Sequence, residues 1–182
     1  MHKKINPGAF YYGFPVILLS TLNDNGTTNI TPISSSWSLG EMVVIGIGTG
    51  TQAYENLKSH REAVLNIVSE NLINHVDSIA KSSGKNGDDK WALANLTPQT
   101  SEFVKPQRVK ESPLQAETKV VNIQERDNFA IVELKILAVQ ALPEILTQDN
   151  LVDPEKWKPM IYNFRHYQGL TATKGKHFKA YS

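Results

Sequence analysis

One stretch limits the fold of this chain more than any other. From Val43 to Asn66 it reads VVIGIGTGTQAYENLKSHREAVLN. An apolar strand, Val43 to Ile47, runs into glycines at 46, 48 and 50. A short polar helix follows, Gln52 to about His60, and then a second apolar strand, Ala63 to Val68. A strand, a small-residue turn and a helix N-terminus in that order form a natural phosphate site. The first-turn N–H groups have no intrahelical partner, and the helix dipole favours an anion there. Small residues let the anion approach the backbone closely. The segment Gly48-Thr49-Gly50-Thr51-Gln52-Ala53 also satisfies GxGxxA, with Glu70 about twenty residues on, as in a dinucleotide-binding α/β fold. A doubly wound sheet needs several strand–helix units. Here two hairpin-like strands come first and no alternation follows Val68, which argues against that fold. A plain flexible turn remains the alternative reading of the glycines.

The rest of the chain reads as antiparallel strands. Val16 to Leu22 is a buried strand, and Asn23-Asp24-Asn25-Gly26 is a hairpin turn, because Asn and Gly accept positive φ. Thr27 to Ile33 returns as a strand rich in Thr and Ile. Ser34-Ser35-Ser36-Trp37 is too polar to be core alone. Asn71 to Ser82 has helical spacing, with Leu72, Val76 and Ile79 on one face. Trp91 to Leu96 reads as a helical turn. Thr97 to Pro113, with Pro98, Pro106 and Pro113, reads as irregular surface wrapping. Leu114 to Gln124 and Phe129 to Leu142 are strands flanking a turn, and Met160 to Tyr167 is a last short segment. The expectation is one domain over residues 1–182, mainly β with short helices, in an antiparallel barrel whose closure removes exposed edges.

Composition narrows the function. A net charge of +1 carries no nucleic-acid footprint. The absence of cysteine removes disulfides, thiolate metal sites and a Cys nucleophile, and fits a reducing cytoplasm. The five histidines are dispersed, with no HExxH spacing. No apolar run approaches the roughly 20 residues that span a bilayer, and no targeting segment is evident. The expectation is a cytoplasmic protein with no metal, no nucleic acid and no membrane partner.

Several motifs, in order, resemble the flavin reductase-like family of FMN-binding split barrels, which includes flavoredoxins. Tyr12-Gly13-Phe14-Pro15-Val16 is similar to the family's opening. Asn29-Ile30-Thr31-Pro32-Ile33-Ser34-Ser35-Ser36-Trp37 precedes the apolar strand and its Gly/Thr turn. Glu55-Asn56-Leu57 follows, and Asn66 stands in the second apolar strand. Asp89-Lys90-Trp91, Glu111-Ser112-Pro113 and Asn163-Phe164-Arg165-His166-Tyr167 resemble later family segments. The resemblance covers nearly the whole chain and implies an antiparallel Greek-key split β-barrel.

It further implies FMN, with FAD also possible, bound at a homodimer interface. By position, Asn29, Thr31, Ser34, Ser35, Ser36 and Trp37 form the flavin-facing edge. Thr49, Thr51, Gln52 and Asn56 lie at the phosphate end, and Arg165, His166 and Tyr167 close the site. Two departures stand out. Many relatives place Arg or Lys in the phosphate turn, and Thr where Ala53 stands. That turn here is Gly48-Thr49-Gly50-Thr51, so backbone N–H groups, Thr49, Thr51 and a distant base (Lys58, Arg61 or Arg165) compensate for the missing charged contact, or binding is weak. Relatives often have Glu-Cys where this chain has Glu117-Thr118, which excludes thiol chemistry there.

The implied activity is hydride transfer from NAD(P)H to flavin. It needs no nucleophile or general base, in keeping with a sequence that offers no Ser/His/Asp triad and no paired carboxylates. Two alternatives stay open: a non-catalytic flavin-binding electron carrier, and a barrel that has lost tight flavin binding. Individual residues have plainer readings too. Trp37 also reads as an interface anchor, Asn56 as a helix brace, and His166 as a hydrogen-bonded interface histidine.

Overall fold

In the computed structural model, which describes residues 1–175 and 177, the chain alternates short strands with three α-helices. In order these are β1 (Phe14–Pro15), β2 (Ile17–Leu22), β3 (Thr28–Ile33), β4 (Ser36–Leu39), β5 (Met42–Gly48), α1 (Gln52–His60), β6 (Glu62–Ile67), α2 (Ile73–Ala80), α3 (Lys90–Ala94), β7 (Pro98–Gln99), β8 (Arg108–Val109), β9 (Leu114–Glu125), β10 (Phe129–Ala141), β11 (Ile161–Asn163) and β12 (His166–Gln168). Seven strands make one antiparallel sheet in the order β3-β2-β6-β9-β10-β5-β4. Among the described residues, no helix is long and apolar enough to cross a membrane.

The sheet is mostly β in the expected sense, but it does not close. β3 and β4 are its two edges, and they are consecutive in the chain, joined only by Ser34 and Ser35. The Gly46 N–H donates to the Ser35 carbonyl at 2.8 Å, which pins this corner to β5. The sheet thus curls until its edges meet at a corner rather than along a ladder. The edges are managed by other means than closure. Pro32 removes a donor from β3, and β4 is only four residues long.

Both faces of β2 are covered, which is why its sequence is a continuous apolar run instead of an alternation. Ile17 and Leu19 point into the barrel with Ile45, Leu65, Val132 and Leu134, where Tyr54 and Leu57 of α1 plug one end. Leu18 and Val16 point outward against Val76 and Ile79 of α2 and Met160. Each fully buried aliphatic side chain contributes roughly 1.5–3 kcal/mol. The two clusters therefore lock α1 and α2 to opposite sides of the same strand.

The segment from Thr97 to Pro113, expected to be irregular, contains the two-residue pairing of β7 with β8. Its anchor is the fully buried Glu117 of β9, whose carboxylate accepts the N–H groups of Glu102 and Phe103 and the Gln140 side-chain amide. The last segment is a hairpin: β11 pairs with β12 and with β1, forming a separate three-stranded sheet. Phe164 and Arg165 at its tip have φ of 45° and 66°.

Candidate functional site

The corner between β3 and β4, the turn before α1 and the end of α2 enclose a cleft of about 450 Å³. Thr31, Pro32, Ile33, Ser34 and Ser35 form one wall, and Gly50, Thr51 and Gln52 another. Ser82, Ser83, Gly84 and Lys90 face them, and Tyr11, Tyr162 and Tyr167 line the remaining side.

The turn before α1 is a capped helix start. Thr51 is the N-cap of α1: its hydroxyl donates to the Gly48 carbonyl at 2.8 Å and accepts the Tyr54 N–H at 3.2 Å. The N–H groups of Gln52 and Ala53, in the first turn, have no intrahelical acceptor. The Gln52 side chain donates to Asn56 Oδ1 at 2.8 Å. Asn56 is itself held by Thr21 and Asn23, at 3.0 and 2.8 Å. Asn56 thus acts as the brace beneath the turn and is not among the residues lining the cleft.

Lys90 is a basic residue lining the same cleft as the turn. It is the first residue of α3, and Asp89 fixes it there by capping the Trp91 and Ala92 N–H groups. Trp91 anchors the helix by donating to the Thr28 carbonyl at 2.7 Å. Lys90 is only 5% exposed, yet its ammonium has no hydrogen-bond or ion-pair partner among the described residues. Burial holds its pKa below the ordinary lysine value, and the Asp88 carboxylate pulls the other way. Asp88 also accepts the Ser83 N–H, which positions the Ser82–Gly84 wall. An ammonium desolvated without a counter-ion is costly. Here it lies on a cleft that the α1 N-terminus also lines, and the Asp88 carboxylate offsets part of that cost.

The structure gathers Thr31, Ser34, Ser35, Thr51, Gln52 and Tyr167 around the cleft. Asn29 is buried behind Thr31, to which its side chain donates at 3.0 Å. Ser36 is buried on β4, and Trp37 projects from it, 58% exposed. Thr49 bonds through its N–H to the Asn128 carbonyl, away from the cleft. Arg165 and His166 are exposed on the β11–β12 hairpin, where the Arg165 guanidinium lies 5.1 Å from the centre of the Tyr11 ring and His166 Nδ1 is 2.8 Å from the Phe164 carbonyl. Tyr167 beside them lines the cleft, with its pKa raised by burial first and by Asp77 and Tyr162 after that.

The sequence reading did not assign Lys90, Tyr11, Tyr162 or the Ser82-Ser83-Gly84 run to the site. The available signal was Asp89-Lys90-Trp91: a capping Asp immediately before a lysine and a tryptophan that fixes the turn.

Residues 10–171 match the flavin reductase like domain, and the chain belongs to the flavin reductase-like family. It is 41% identical to YdfE of Bacillus subtilis (strain 168), an alignment covering 98% of this chain and 94% of that protein. Its fold is similar to that of flavoredoxin from Desulfovibrio vulgaris (Miyazaki F), with a TM-score of 0.90 at 24% identity over 99% of both chains. The NADH:FAD oxidoreductase SgcE6 of Streptomyces globisporus C-1027 shares the fold at a TM-score of 0.76 and 9% identity, over 94% of this chain and 99% of that one.

Proposed function

We propose that this protein is a flavin-binding oxidoreductase of the flavin reductase type, using FMN as the minimal flavin and NAD(P)H as hydride donor. Its flavin-related oxidoreductase character follows from the family. One observation carries the finer reading: Lys90, a lysine with its side chain largely buried and its ammonium in no hydrogen bond or ion pair among the described residues, lines the cleft that the α1 N-terminus also lines. The residues present fit a flavin phosphate, with Lys90, Thr51, Gln52 and the first-turn N–H groups holding it. Thr31, Ser34 and Ser35 offer hydroxyls and backbone groups to the polar edge of a ring, and the tyrosines offer apolar cover on the other side. A bound flavin supplies the hydride-accepting chemistry. The chain's own work is to orient the cofactor and to exclude water from it. SgcE6, of the same fold, is described by its activity on NADH and FAD, which supports the nicotinamide part of the reading. The cytoplasm, where both nucleotides are held, is the setting this implies.

The proposal includes a homodimer. Trp37 and Leu39 on β4 and Leu137 and Val139 on β10 are exposed on the outer face of the sheet. In register, Trp37 neighbours Val44 and Leu39 neighbours Met42, and the β10 residues beside that pair are Glu133 and Lys135, so a charged pair separates the β4–β5 apolar patch from Leu137 and Val139 further along β10. An apolar face of this kind on an otherwise charged surface suits a second copy.

The test is a visible spectrum after FMN addition and desalting, followed by anaerobic NADH or NADPH. Retained flavin that bleaches with a nicotinamide supports the reading. Retained flavin that does not bleach supports the carrier alternative, and no flavin binding at high concentration refutes the reading.

A further inference from the structure

The turn between β11 and β12 is made of residues that its backbone disfavours. Asn163 pairs with His166, so Phe164 and Arg165 alone form the turn, and both have positive φ, 45° and 66°. Two-residue hairpins of this kind take Asn-Gly or Gly-Gly without strain. A bulky aromatic at positive φ is an outlier. Such strain persists where the surroundings over-determine it, and it gathers at binding sites. Here the surroundings are the N-terminal arm: the Phe164 N–H donates to the Tyr11 carbonyl at 2.6 Å.

The same clasp holds the Arg165 guanidinium 5.1 Å from the centre of the Tyr11 ring. Tyr11 stands edge-on to Tyr162, with ring centres 6.1 Å apart, and both line the cleft. The guanidinium makes no hydrogen bond and no ion pair among the described residues. An arginine fixed over an aromatic face, with its fork of N–H donors unpaired, is suited to a phosphate.

That phosphate is not the flavin's. Arg165 does not line the cleft, and the α1 turn and Lys90 stand on its other walls. A cleft of about 450 Å³ that holds a flavin has no room for a whole dinucleotide as well, so the adenosine end of the hydride donor lies on the rim. The two forms of that donor differ by one phosphate on the adenosine ribose, a group that an arginine beside a dinucleotide site accommodates. Phe164, 53% exposed next to Arg165, offers a ring face to the adenine.

We propose that Arg165 binds the ribose 2′-phosphate of NADPH, so that the protein prefers NADPH to NADH. This rests on the hydride-transfer reading above.

The test uses Arg165→Asn, which removes the charge and accepts positive φ, so the hairpin keeps its turn. Anaerobic flavin reduction is followed with NADPH and with NADH on both proteins. Adenosine 2′,5′-bisphosphate and adenosine 5′-phosphate are titrated calorimetrically in parallel. The wild type is expected to favour NADPH at least roughly tenfold in kcat/KM, and the bisphosphate by a similar ratio in Kd. Arg165→Asn is expected to remove both ratios, the loss appearing in the KM for NADPH. Equal use of the two donors, or a preference for NADH, in the wild type overturns the inference and leaves the hydride-transfer reading standing. A variant that keeps the wild-type ratios, whatever its absolute rates, also overturns it. If neither donor reduces the flavin, the hydride-transfer reading itself falls, and the inference with it.

Discussion

Replacing Lys90 with methionine should move stability and ligand affinity in opposite directions. The substitution keeps the buried aliphatic stem and deletes an ammonium that has no partner among the described residues. Desolvation of the ammonium outweighs the attraction of Asp88 and subtracts from stability, so the ligand-free variant should be more stable by on the order of 1 kcal/mol. For a chain of this size that is a rise in Tm of about 2–4 °C. The same change removes a charge-assisted contact worth roughly 1.5–3 kcal/mol to a phosphate, which is about ten- to 150-fold in the Kd for FMN. Riboflavin, which has no phosphate, should bind both proteins equally. The pH dependence has a definite sign. Because the folded pKa of Lys90 is depressed, the unfolded chain holds more protons between that value and the ordinary lysine value. Stability therefore rises with pH across this interval, and the gap between wild type and variant closes there. Affinity for FMN should fall over the same interval in the wild type only. Thermal unfolding with and without ligand, combined with flavin fluorescence titration, reads both effects. A variant that is less stable, or that binds FMN as tightly as wild type, refutes the assignment of Lys90 as an unpaired phosphate-binding cation.

Other substitutions probe the frame around the cleft. Gly84→Ala places a methyl group against Asn29 and Gln52. It should cost about 1–3 kcal/mol by overpacking, and weaken flavin binding measured by fluorescence. Thr51→Ala removes the cap of α1 and should lower stability by about 1 kcal/mol in denaturant melts. Glu117→Ala strands the Glu102 and Phe103 N–H groups and the nearby Arg108, whose Nε lies 3.8 Å from the carboxylate. Its expected cost is about 3–5 kcal/mol, with early hydrogen exchange across residues 100–109. Val139→Asp puts a charge into the exposed apolar face of β10 and should shift sedimentation from dimer towards monomer while each protomer keeps its far-ultraviolet spectrum.

Much of the architecture was written locally. The Asn25-Gly26 turn, with Gly26 at φ 82°, sets the β2–β3 hairpin, and Leu114–Glu125 and Phe129–Ala141 carry enough β-branched and apolar residues to declare themselves strands. The non-closure of the sheet was less visible. It depends on two residues, Ser34 and Ser35, joining both edges, and on Pro32 withholding a donor, neither of which periodicity reports. The capped start of α1 after the glycine turn was legible because capping and glycine chemistry are local. The place of Lys90 on the cleft was not, since it reaches there from a helix 38 positions further along than Gln52, through packing of Trp91 under Thr28. Resemblance placed Arg165, His166 and Tyr167 together; Tyr167 lines the cleft, while Arg165 and His166 are exposed on the hairpin, Arg165 over the Tyr11 ring at the cleft's side.

The most direct test of the central claim is the ratio of the dissociation constants for riboflavin and FMN on the wild-type protein at neutral pH. The two ligands differ only in the phosphate. If that phosphate is held by Lys90 and the α1 N-terminus, FMN binds at least roughly tenfold more tightly than riboflavin, one decade or more in Kd. Equal affinities, or a preference for riboflavin, contradict the account.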